Sequence, residues 1–452
     1  MRYKKYPSYK DSGVEWLGAV PSEWVIKRLK NIISASITDG PHETPEFLDE
    51  GIPFLSVDGI QNGELTFKKC RFISHKAHKI YRKKAYIQKD DILLGKAASI
   101  GKVARVKVEF EFGIWSPLAL IKPDISNVTP PYLEYLLKSS LTQYQIQQLS
   151  TSNTQQNISM GDIPKFIFSM PCIKEQKAIA NYLDNATNKI DTLIIKQKRL
   201  IGLLKEKRQA LISKAVTRGL DDSVEMKESG VEWLGEIPKH WEVSKLRFIF
   251  SFSKGLTITK ANLIDKGVPC VNYGEIHSKY GFEVDVNRHP LKCVNSSYLI
   301  DSKSSLLSKG DFVFADTSED IEGAGNFTHV SSETQIFAGY HTIIARQVYE
   351  HNFRFLAYLI DSQNFRTQIR LSAKGVKVLS ITQAILKNSI VWLPNKEEQT
   401  EIANYLDQKT TQIDILIGKS TKAITLLQEK RTALISAVVT GKIDVRGEYE
   451  HT

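Results

Sequence analysis

The chain has 452 residues and a formal net charge of +11, with 61 lysines and arginines against 50 aspartates and glutamates. This length predicts about two to four domains rather than one. Lysine, aspartate or glutamine breaks every long apolar run, which excludes a membrane-spanning helix. The excess of positive charge favours a polyanionic partner such as nucleic acid.

The first residues are basic, but no apolar segment of a secretory signal follows them. The four cysteines form no CxxC pair, and the ten histidines show no HExxH motif or other metal-ligand spacing. The cysteines are typical of reduced thiols in a cytoplasmic protein rather than of a disulfide framework or a zinc site. No metal site is predicted. The cysteines are Cys70, Cys172, Cys270 and Cys293.

The first predicted element is a short phrase, SGVEWLG (12–18), which is followed by Pro-x-x-Trp. The same seven residues return at 229–235, again followed by Pro-x-x-Trp. Four tryptophans of these phrases are predicted to pack the entrance of the following segment onto a helical scaffold, the alternative being contact with a partner. They are Trp16, Trp24, Trp233 and Trp241.

A variable insert follows each short phrase. The first contains the strand-like runs GIPFLSV, DDILLG and KVARVKVEF, and then a helical run, PYLEYLLKSSLTQYQIQQL. The second contains GVPCVNY, GDFVFAD and HTIIARQ in matching order, and then FRFLAYLIDSQNFRTQIRL. We therefore expect two inserts of one mixed fold. Their loops differ, as in ITDGPHETPEF (37–47) against SKGLTITKANL (253–263).

A long phrase closes each insert. EQKAIANYLDNATNKIDTLI (175–194) matches EQTEIANYLDQKTTQIDILI (398–417), and LLKEKRQALIS farther along matches LLQEKRTALIS. The short phrases are 217 residues apart and the long phrases 223, so the six extra residues of the second half lie in its insert. The chain therefore contains an internal repeat, in which the same order of short phrase, insert and long phrase occurs twice.

Each long phrase is predicted to form one helix of roughly 60 Å, because apolar residues recur at a 3-4 spacing without an interior proline. The row in the first copy is Leu183, Ala186, Ile190, Leu193, Leu200, Leu204 and Leu211. The row in the second copy is Leu406, Ile413, Leu416, Ala423, Leu427 and Leu434. Polar residues interrupt the rows at Gln197, Ser420, Lys207 and Lys430. The rows favour an antiparallel coiled-coil pair over the alternative that each helix packs on its own insert.

Two segments come close to catalytic motifs without matching them. GKAASIGK (95–102) has one residue too many between its glycines for a phosphate loop, and Val103 replaces the metal-binding hydroxyl residue. TPPY (129–132) has threonine where the Asn/Asp-Pro-Pro-Tyr site of amino-methyltransferases has an amide or a carboxylate. No second cluster completes a nuclease metal site with the grouped Asp316, Glu319, Asp320 and Glu322. No catalytic residue is predicted.

A basic run interleaved with aromatic residues, FKKCRFISHKAHKIYRKKAYIQK (67–89), predicts contact with DNA phosphates, the alternative being a solvated face. The polar runs TSNTQQNIS (151–159) and AKGVKVLS (373–380) are candidates for reading base edges, the alternative being a surface loop. The candidate DNA-binding residues of the first insert are Thr38, His42, Thr44, Lys68, Lys69, Arg71, Lys76, Lys79, Arg82, Lys83, Lys84, Lys96, Asn153, Gln155 and Gln156. Those of the second are Lys254, Thr257, Lys260, Asn272, Tyr273, Ser318, His341, Lys374 and Lys377.

This arrangement resembles the specificity subunit of type I restriction–modification enzymes over nearly the whole chain. The motifs that carry the resemblance are SGVEWLG-x-x-P-x-x-W, EQ-x-x-IANYLD and LL-x-EKR-x-ALIS, each present twice. ITDGPHETPEF with GIPFLSV, and GDFVFADTSED, look like two varieties of that family's target-recognition domain. The scaffold positions that match the family's long helices are Leu183, Ile190, Leu204, Leu406, Ile413 and Leu427.

The resemblance implies an α+β chain with a pseudo-two-fold internal repeat, in which two long antiparallel helices separate two mixed target-recognition domains. The expected boundaries are 1–172 and 220–395 for the domains, and 173–219 and 396–445 for the helices. It further implies that each domain reads one half of an asymmetric bipartite site on double-stranded DNA.

The family resemblance also implies that this chain has no catalytic activity and binds no cofactor. Two modification subunits would supply S-adenosylmethionine-dependent adenine methylation. Two restriction subunits would supply ATP- and Mg²⁺-dependent translocation and cleavage. The alternatives are a DNA-specificity protein of another defence assembly, a coiled-coil scaffold that binds protein, and a stand-alone methyltransferase or nuclease.

Overall fold

The computed structural model describes residues 4–150, 157–375 and 377–448. The chain divides into two compact units, of which the first is Met1–Lys198 with Thr421–Thr452 and the second is Arg199–Ser420. Within the described residues no helix is long and apolar enough to cross a membrane. The same residues contain no group of three His, Cys, Asp or Glu side chains placed to hold a metal ion.

The first unit is built on a four-stranded antiparallel sheet in the order β10-β9-β12-β4, beside a three-stranded sheet, β11-β5-β8. Its strands are β1 Tyr9–Asp11, β2 Ala19–Pro21, β3 Val25–Arg28, β4 Thr38–Asp39, β5 Ile52–Leu55, β6 Ile60–Gln61, β7 Glu64–Leu65, β8 Arg71–Ile73, β9 Ile92–Gly95, β10 Val103–Arg105, β11 Gly113–Ile114, β12 Leu118–Ile121 and β13 Ile167–Met170. Its helices are α1 His75–Tyr81, α2 Pro130–Lys138, α3 Ser140–Leu149 and the first part of α4 Ile173–Arg218.

The second unit has a five-stranded sheet in the order β17-β26-β22-β24-β19 and a four-stranded sheet, β20-β18-β25-β21. Its strands are β14 Met226–Glu228, β15 Glu236–Pro238, β16 Glu242–Lys245, β17 Phe250–Lys254, β18 Val268–Val271, β19 Phe282–Val284, β20 Cys293–Val294, β21 Leu306–Leu307, β22 Phe312–Ala315, β23 Thr317–Ser318, β24 Phe327–Val330, β25 Ile336–Ala338, β26 Thr342–Gln347, β27 Leu379–Ser380 and β28 Ile390–Leu393. Its helices are α5 Leu246–Ile249, α6 Tyr273–Ser278, α7 Tyr298–Asp301, α8 Phe353–Asp361, α9 Gln363–Ser372, α10 Gln383–Asn388 and the first part of α11 Lys396–Val439.

The two inserts share their central sheet, as the sequence predicted. The order β10-β9-β12-β4 in the first unit corresponds to β24-β22-β26-β17 in the second. In both, a glycine follows the edge strand where another backbone approaches closely. A Cβ on Gly40 would lie 1.8 Å from the carbonyl oxygen of Ile114, and one on Gly255 would lie 2.2 Å from that of Gly339. Only glycine fits such an approach, so the strand end is built alike in both units.

The long phrases form the two long helices, α4 with 46 residues and α11 with 44. Each helix contributes residues to both units, because the unit boundaries fall within the helices. Each helix is followed by a glycine in the left-handed region, Gly219 with φ +75° and Gly441 with φ +71°. These glycines allow the chain to turn sharply away from the helix axis.

The inward-facing row of each helix differs in part from the predicted row. In α4, Leu183, Ile190 and Leu204 are buried as predicted, but Leu193 is 46% exposed and Ile194 is buried instead. In α11, Leu406 and Ile413 are buried and Leu427 is half-buried, whereas Leu416 is 47% exposed. Leu200 is exposed. Lys207 and Lys430 lie outside the inward-facing row, and Arg208 and Arg431, one residue later, occupy the positions in the row that the sequence predicted for the lysines.

The 3-4 periodicity was therefore right, but one of its two rows is displaced by one residue. Leu193 and Ile194 are both apolar, so the sequence permits either register. Contacts with other elements select one of the two registers. The Thr187 hydroxyl, seven residues before Ile194, shares a hydrogen bond with the Tyr135 hydroxyl of α2 at 3.3 Å. Positions at heptad spacing from Thr187 then face the same way.

The tryptophans of the short phrases fall into two classes. Trp24 and Trp241 are fully buried in the two main cores. Their indole Nε1–H groups donate to the first glutamate of each long phrase, Glu175 at 3.2 Å and Glu398 at 3.1 Å. Trp16 is half-buried, with its ring centre 5.8 Å from that of Tyr144. Trp233 is 37% exposed and packs at 5.9 Å on Trp392, so one tryptophan of each pair remains at the surface.

Candidate nucleic-acid interface

In both units the same hydrogen bonds tie the insert to the long helix. In the first unit, the Tyr135 hydroxyl on α2 donates to Asp184 of α4 at 2.6 Å. In the second, the Tyr358 hydroxyl on α8 donates to Asp407 of α11 at 2.7 Å and lies 3.0 Å from the Thr410 hydroxyl. Burial raises the pKa of both tyrosines, which keeps the hydroxyls protonated as donors.

A glutamine near the start of each long helix makes a second repeated set of bonds. The Gln176 amide accepts from the backbone N–H of Thr129 at 2.8 Å and donates to the carbonyl of Pro171 at 3.0 Å. Gln399 accepts from the backbone N–H of Asn352 at 3.0 Å and donates to the carbonyl of Pro394 at 2.9 Å. The prolines that precede both helices are therefore held by the same residue type in the same way.

In each unit, we call the strand ends and loops on and beside one surface cavity the recognition edge. In the first unit it comprises residues 38–47, 55–71, 96–101 and 115. In the second it comprises residues 254–263, 271–278, 316–323, 339–341 and 374–380, without the undescribed residue 376.

Backbone pairing joins the loops of each recognition edge. In the first unit, Ala97 bridges Asn157, and the N–H of Ile158 donates to the carbonyl of Lys96 at 3.0 Å. In the second, β23 pairs with β27, and the N–H of Ile381 donates to the carbonyl of Asp316 at 2.8 Å. The described residues Asn157 and Ile158 of the first polar run, and Leu379 and Ser380 of the second, therefore adjoin the loop after the central strand.

Asp39 is a buried carboxylate at the centre of the first recognition edge. The Lys96 ammonium lies 3.2 Å from it, Lys84 pairs with it, and the His42 ring nitrogen Nε2 lies 3.0 Å away. Burial raises the pKa of Asp39, but hydrogen bonds from Lys84 and Lys96 outweigh this effect and hold the pKa below its ordinary value. The carboxylate is therefore ionised and pairs with both lysines, which leaves a net charge of +1 on the three groups.

This placement corrects the prediction for Lys96. The residue is only 7% exposed, and its charge is compensated by Asp39, so it supports the edge from within instead of offering its ammonium to DNA. Two residues of the second unit are corrected for the same reason. Asn272 is buried against Gly339 at the start of α6, and the Ser318 hydroxyl is buried and donates to the carbonyl of Asp320 at 2.7 Å.

The first recognition edge holds a cavity of ≈ 260 Å³ with cationic and amide groups in its wall. Lys68, Lys69 and Arg71 line it, together with Gln61 and with Asp58, Thr66 and Trp115. The Arg71 guanidinium carbon lies 4.8 Å from the centre of the Phe47 ring and 5.5 Å from that of Trp115. Donors therefore dominate this wall.

The rest of the basic run is divided between free and paired residues. Arg82 pairs with Glu111 at 2.6 Å and lies over the Tyr86 ring at 4.4 Å. The remaining lysines of α1 and its flanks are exposed to solvent. They are Lys76, Lys79 and Lys83.

The second recognition edge holds a cavity of ≈ 680 Å³ with acidic groups in its wall. Glu319, Asp320 and Glu322 line it, together with His277 and with Asn326, Tyr273 and His341. The His277 Nε2–H donates to the carbonyl of Thr317 at 2.8 Å, and its Nδ1 accepts from the Asn326 amide at 2.9 Å. These two contacts hold the imidazole ring in one orientation. Acceptors therefore dominate this wall.

The other predicted residues lie on or near the recognition edges. His341 is exposed beside Asp316 at 3.2 Å, and its ring centre lies 5.4 Å from that of Tyr273. Thr38 is half-buried. The remaining candidates are exposed, namely Thr44, Lys254, Thr257, Lys260, Lys374 and Lys377. Asn153, Gln155 and Gln156 lie outside the described residues.

Sequence reasoning missed several residues of both cavities. Gln61, Thr66, Phe47 and Trp115 of the first edge, and His277 with Asn326 of the second, stand in no basic or polar run. Trp115 could have been found only from the segment EFGIWSP, because a strand pattern does not require its tryptophan, whereas Phe47 is the last residue of the loop ITDGPHETPEF. Their role depends on contacts between distant segments.

Comparison with known proteins assigns the family. The family model of the type I restriction modification DNA specificity domain matches residues 21–201 and 238–425. A type I restriction enzyme specificity subunit, MjaVIII of Methanocaldococcus jannaschii, is 24% identical over 439 residues, which cover 94% of each chain. The EcoKI specificity subunit of Escherichia coli is 21% identical over 449 residues, which cover 96% of this chain and 92% of that subunit.

Solved structures show the same fold. A chain from a structural description of complex assembly and conformational transition in a type I R-M system has a TM-score of 0.66 at 14% identity, covering 93% of this chain and 98% of that one. The HsdS subunit of Thermoanaerobacter tengcongensis has a TM-score of 0.50 at 13% identity, covering 94% and 98%. The two matched segments coincide with the two repeated halves of the chain, and so the chain belongs to the type I restriction modification DNA specificity family, as a specificity subunit with two recognition domains.

Proposed function

We propose that each recognition domain reads one half of an asymmetric, bipartite site on double-stranded DNA, with the domains at 1–172 and 220–395. One observation carries this proposal: the two domains have the same frame of bonds to the long helices but opposite charges at equivalent positions of the recognition edge. In the central sheet of the first domain, Asp39 lies opposite Ala119. The equivalent position in the second domain is Lys254, which lies opposite Ile343. Lys96 follows β9, and Asp316 follows β22.

A conserved frame with exchanged charges fits two different half-sites. Phosphate contacts position a protein on DNA, whereas donors and acceptors on base edges determine the sequence that it binds. A wall rich in donors, with Lys68, Lys69 and Arg71, complements acceptor-rich base edges. A wall rich in acceptors, with Glu319 and Asp320, complements the amino groups of cytosine or adenine.

We propose further that the long helices, 173–219 and 396–445, pair as an antiparallel coiled coil that sets the spacing of the half-sites. In the first unit the Arg431 side chain lies 3.0 Å from Asp191. In the second, the Arg208 side chain lies 3.5 Å from Asp414. The aspartates are equivalent residues of the two long phrases, and so are the arginines. The same ion pair thus occurs twice with the helices exchanged, as a pseudo-two-fold antiparallel pair requires.

The chain is proposed to have no catalytic role and to dock two modification subunits, with two restriction subunits completing the complex. S-adenosylmethionine, ATP and Mg²⁺ would be bound by those subunits. Repeated exposed leucines support two identical partners, since Leu193 and Leu416 match in position and exposure, as do Leu203 and Leu426 at 52% and 54%. We propose that these two pairs of surface leucines make two equal apolar contacts with the partners.

The test is to co-express the full chain with its cognate modification subunit and to map methylated adenines by single-molecule sequencing. The expected result is a motif with two different specific halves separated by unspecified bases. A single continuous motif would contradict the bipartite reading. Methylation by the purified chain alone would contradict the absence of a catalytic role.

The spacer role predicts a separate result. Inserting one heptad into each long helix lengthens the pair by about 10 Å, which corresponds to about three base pairs. We expect the sequenced motif to keep both half-sites and to gain a longer spacer. As a control, the same seven residues inserted in the exposed turn after Gly219 should leave the spacer unchanged. An unchanged spacer in the helix variant would contradict the proposal that the helix pair sets the spacing of the half-sites.

A further inference from the structure

We infer that Arg71 determines specificity by reading the major-groove edge of a guanine in the half-site of the first recognition domain. This inference rests on the proposed function and assigns one residue to one class of base. Arg71 is the first residue of β8 and lines the ≈ 260 Å³ cavity of the first recognition edge.

Aromatic side chains hold the Arg71 guanidinium in place. Arg71 stands directly opposite the buried Phe54 in the β5–β8 ladder. Its guanidinium carbon lies over the rings of Phe47 and Trp115, whose centres are 6.0 Å apart. The indole N–H of Trp115 donates to the carbonyl of Glu43 at 3.1 Å, which fixes this aromatic surface. Stacking of this kind restrains a planar guanidinium without using its N–H donors.

The Arg71 backbone pairs with Phe54 in the ladder. Within residues 4–150, 157–375 and 377–448, however, the guanidinium makes neither a hydrogen bond nor an ion pair, so its donors have no acceptor there. Two other arginines of the same unit differ in this respect. Arg82 is paired with Glu111, and Arg105 is paired with Asp90 and Glu134. Arg71 is also exposed, so a ligand can reach it. An oriented, unpaired guanidinium is suited to a pair of acceptors that it can contact bidentately.

DNA offers two such acceptor pairs, the phosphate oxygens and the O6 and N7 atoms of guanine. The surroundings of Arg71 favour guanine. The Asp58 carboxylate lines the same cavity and repels a phosphate, but a neutral base edge is not repelled. Gln61 and Thr66 in the wall offer further base contacts. Lys68 and Lys69 line the cavity with exposed side chains, and they are placed to contact phosphate.

The experiment compares Arg71→Ala and Arg71→Lys with Lys69→Ala in the full chain co-expressed with the modification subunit. Binding is selected from random duplexes and confirmed by the methylation motif. Both Arg71 variants should lose preference for guanine at one position of one half-site, by about ten- to a hundredfold, with the other half-site unchanged. Lys69→Ala should weaken all sequences equally and reduce the slope of log affinity against log salt by about 1.

A matched control is Arg247→Ala, which removes an exposed arginine of the second recognition domain that is absent from both cavity walls. It should leave the first half-site unchanged. If Arg71→Ala weakens every sequence equally and lowers the salt slope while the motif stays the same, Arg71 contacts phosphate and the inference is overturned. An unchanged motif with unchanged affinity overturns it as well. Failure of the proposed function is seen separately, because the unsubstituted complex would then lack a bipartite motif.

Discussion

In the first recognition domain, Lys96 follows the central strand and is joined to the buried Asp39 at the end of the edge strand. In the second, the same two positions hold Asp316 and Lys254, and Asp316 is paired instead with His341 at 3.2 Å. The bonds that tie each domain to its long helix are nevertheless the same. The comparison shows that the frame tolerates an exchange of charge at the recognition edge, because the bonds to the long helix involve none of these residues.

The difference between the two edges can be sharpened by neutralising the aspartates. Asp39→Asn leaves the buried Lys96 without its carboxylate, so we expect a loss of about 3 kcal/mol in the stability of the first domain. Asp316→Asn breaks only a half-exposed pair with His341, so a loss below about 1 kcal/mol is expected. Urea unfolding followed by hydrogen exchange of β9 and β22 measures each domain separately. Equal losses in the two variants would show that burial of the pair does not matter.

A second difference concerns a titratable residue on β24, the strand that corresponds to β10 of the first unit. His329 on β24 is buried among Arg354, Glu283 and Asp407, and the position equivalent to it in β10 is Arg105. Burial first, and then the Arg354 guanidinium, lower the pKa of His329 to about 4. Its ring Nε2 accepts from Arg354 at 3.3 Å, which the protonated ring could not do. Arginine does not titrate in the same range.

Because the folded-state pKa of His329 is depressed, its neutral ring contributes stability that is fully present above pH 6.5. That contribution is lost as the pH falls from 6.5 towards 4. We expect the second domain to lose on the order of 2 kcal/mol between pH 7 and pH 4.5, while the first domain loses less. Domain-resolved hydrogen exchange at several pH values measures this. His329→Gln should flatten the profile of the second domain, and an unaltered profile would assign the titration to another group.

The smallest expected change in stability concerns a feature that the two halves share, an exposed leucine at the same position of each long helix. Leu193→Ala and Leu416→Ala remove equivalent exposed leucines, so each should cost below about 1 kcal/mol of stability in the isolated chain. Each should weaken the binding of one modification subunit by a similar factor, as measured by titration calorimetry. Ile194→Ala, at the adjacent buried position, should show the reverse, with a stability loss of about 2–4 kcal/mol. A large stability loss in Leu193→Ala would restore the row predicted from the sequence.

Much of the architecture could be read from the sequence, because the repeated phrases constrain local conformation directly. The two long helices, the glycines that follow them and the matching order of strands in the inserts required only periodicity and repetition. The site was less accessible. Lys96 stands in a basic, glycine-containing run that resembles a surface loop, and no local signal indicates that Asp39, more than fifty residues earlier, neutralises it in the interior.

The sequence by itself determined the duplication, the helical scaffold and the family, since these follow from residue identity at fixed spacing. The tertiary structure alone decided which apolar row faces inward, which lysines are neutralised, and that Phe47, Arg71 and Trp115 meet in one wall. The physical reason is that the local sequence pattern does not distinguish Leu193 from Ile194 as the inward-facing residue. Nor does it distinguish a paired lysine or arginine from an unpaired one. Only burial, and the pairing of charges that burial demands, distinguishes them.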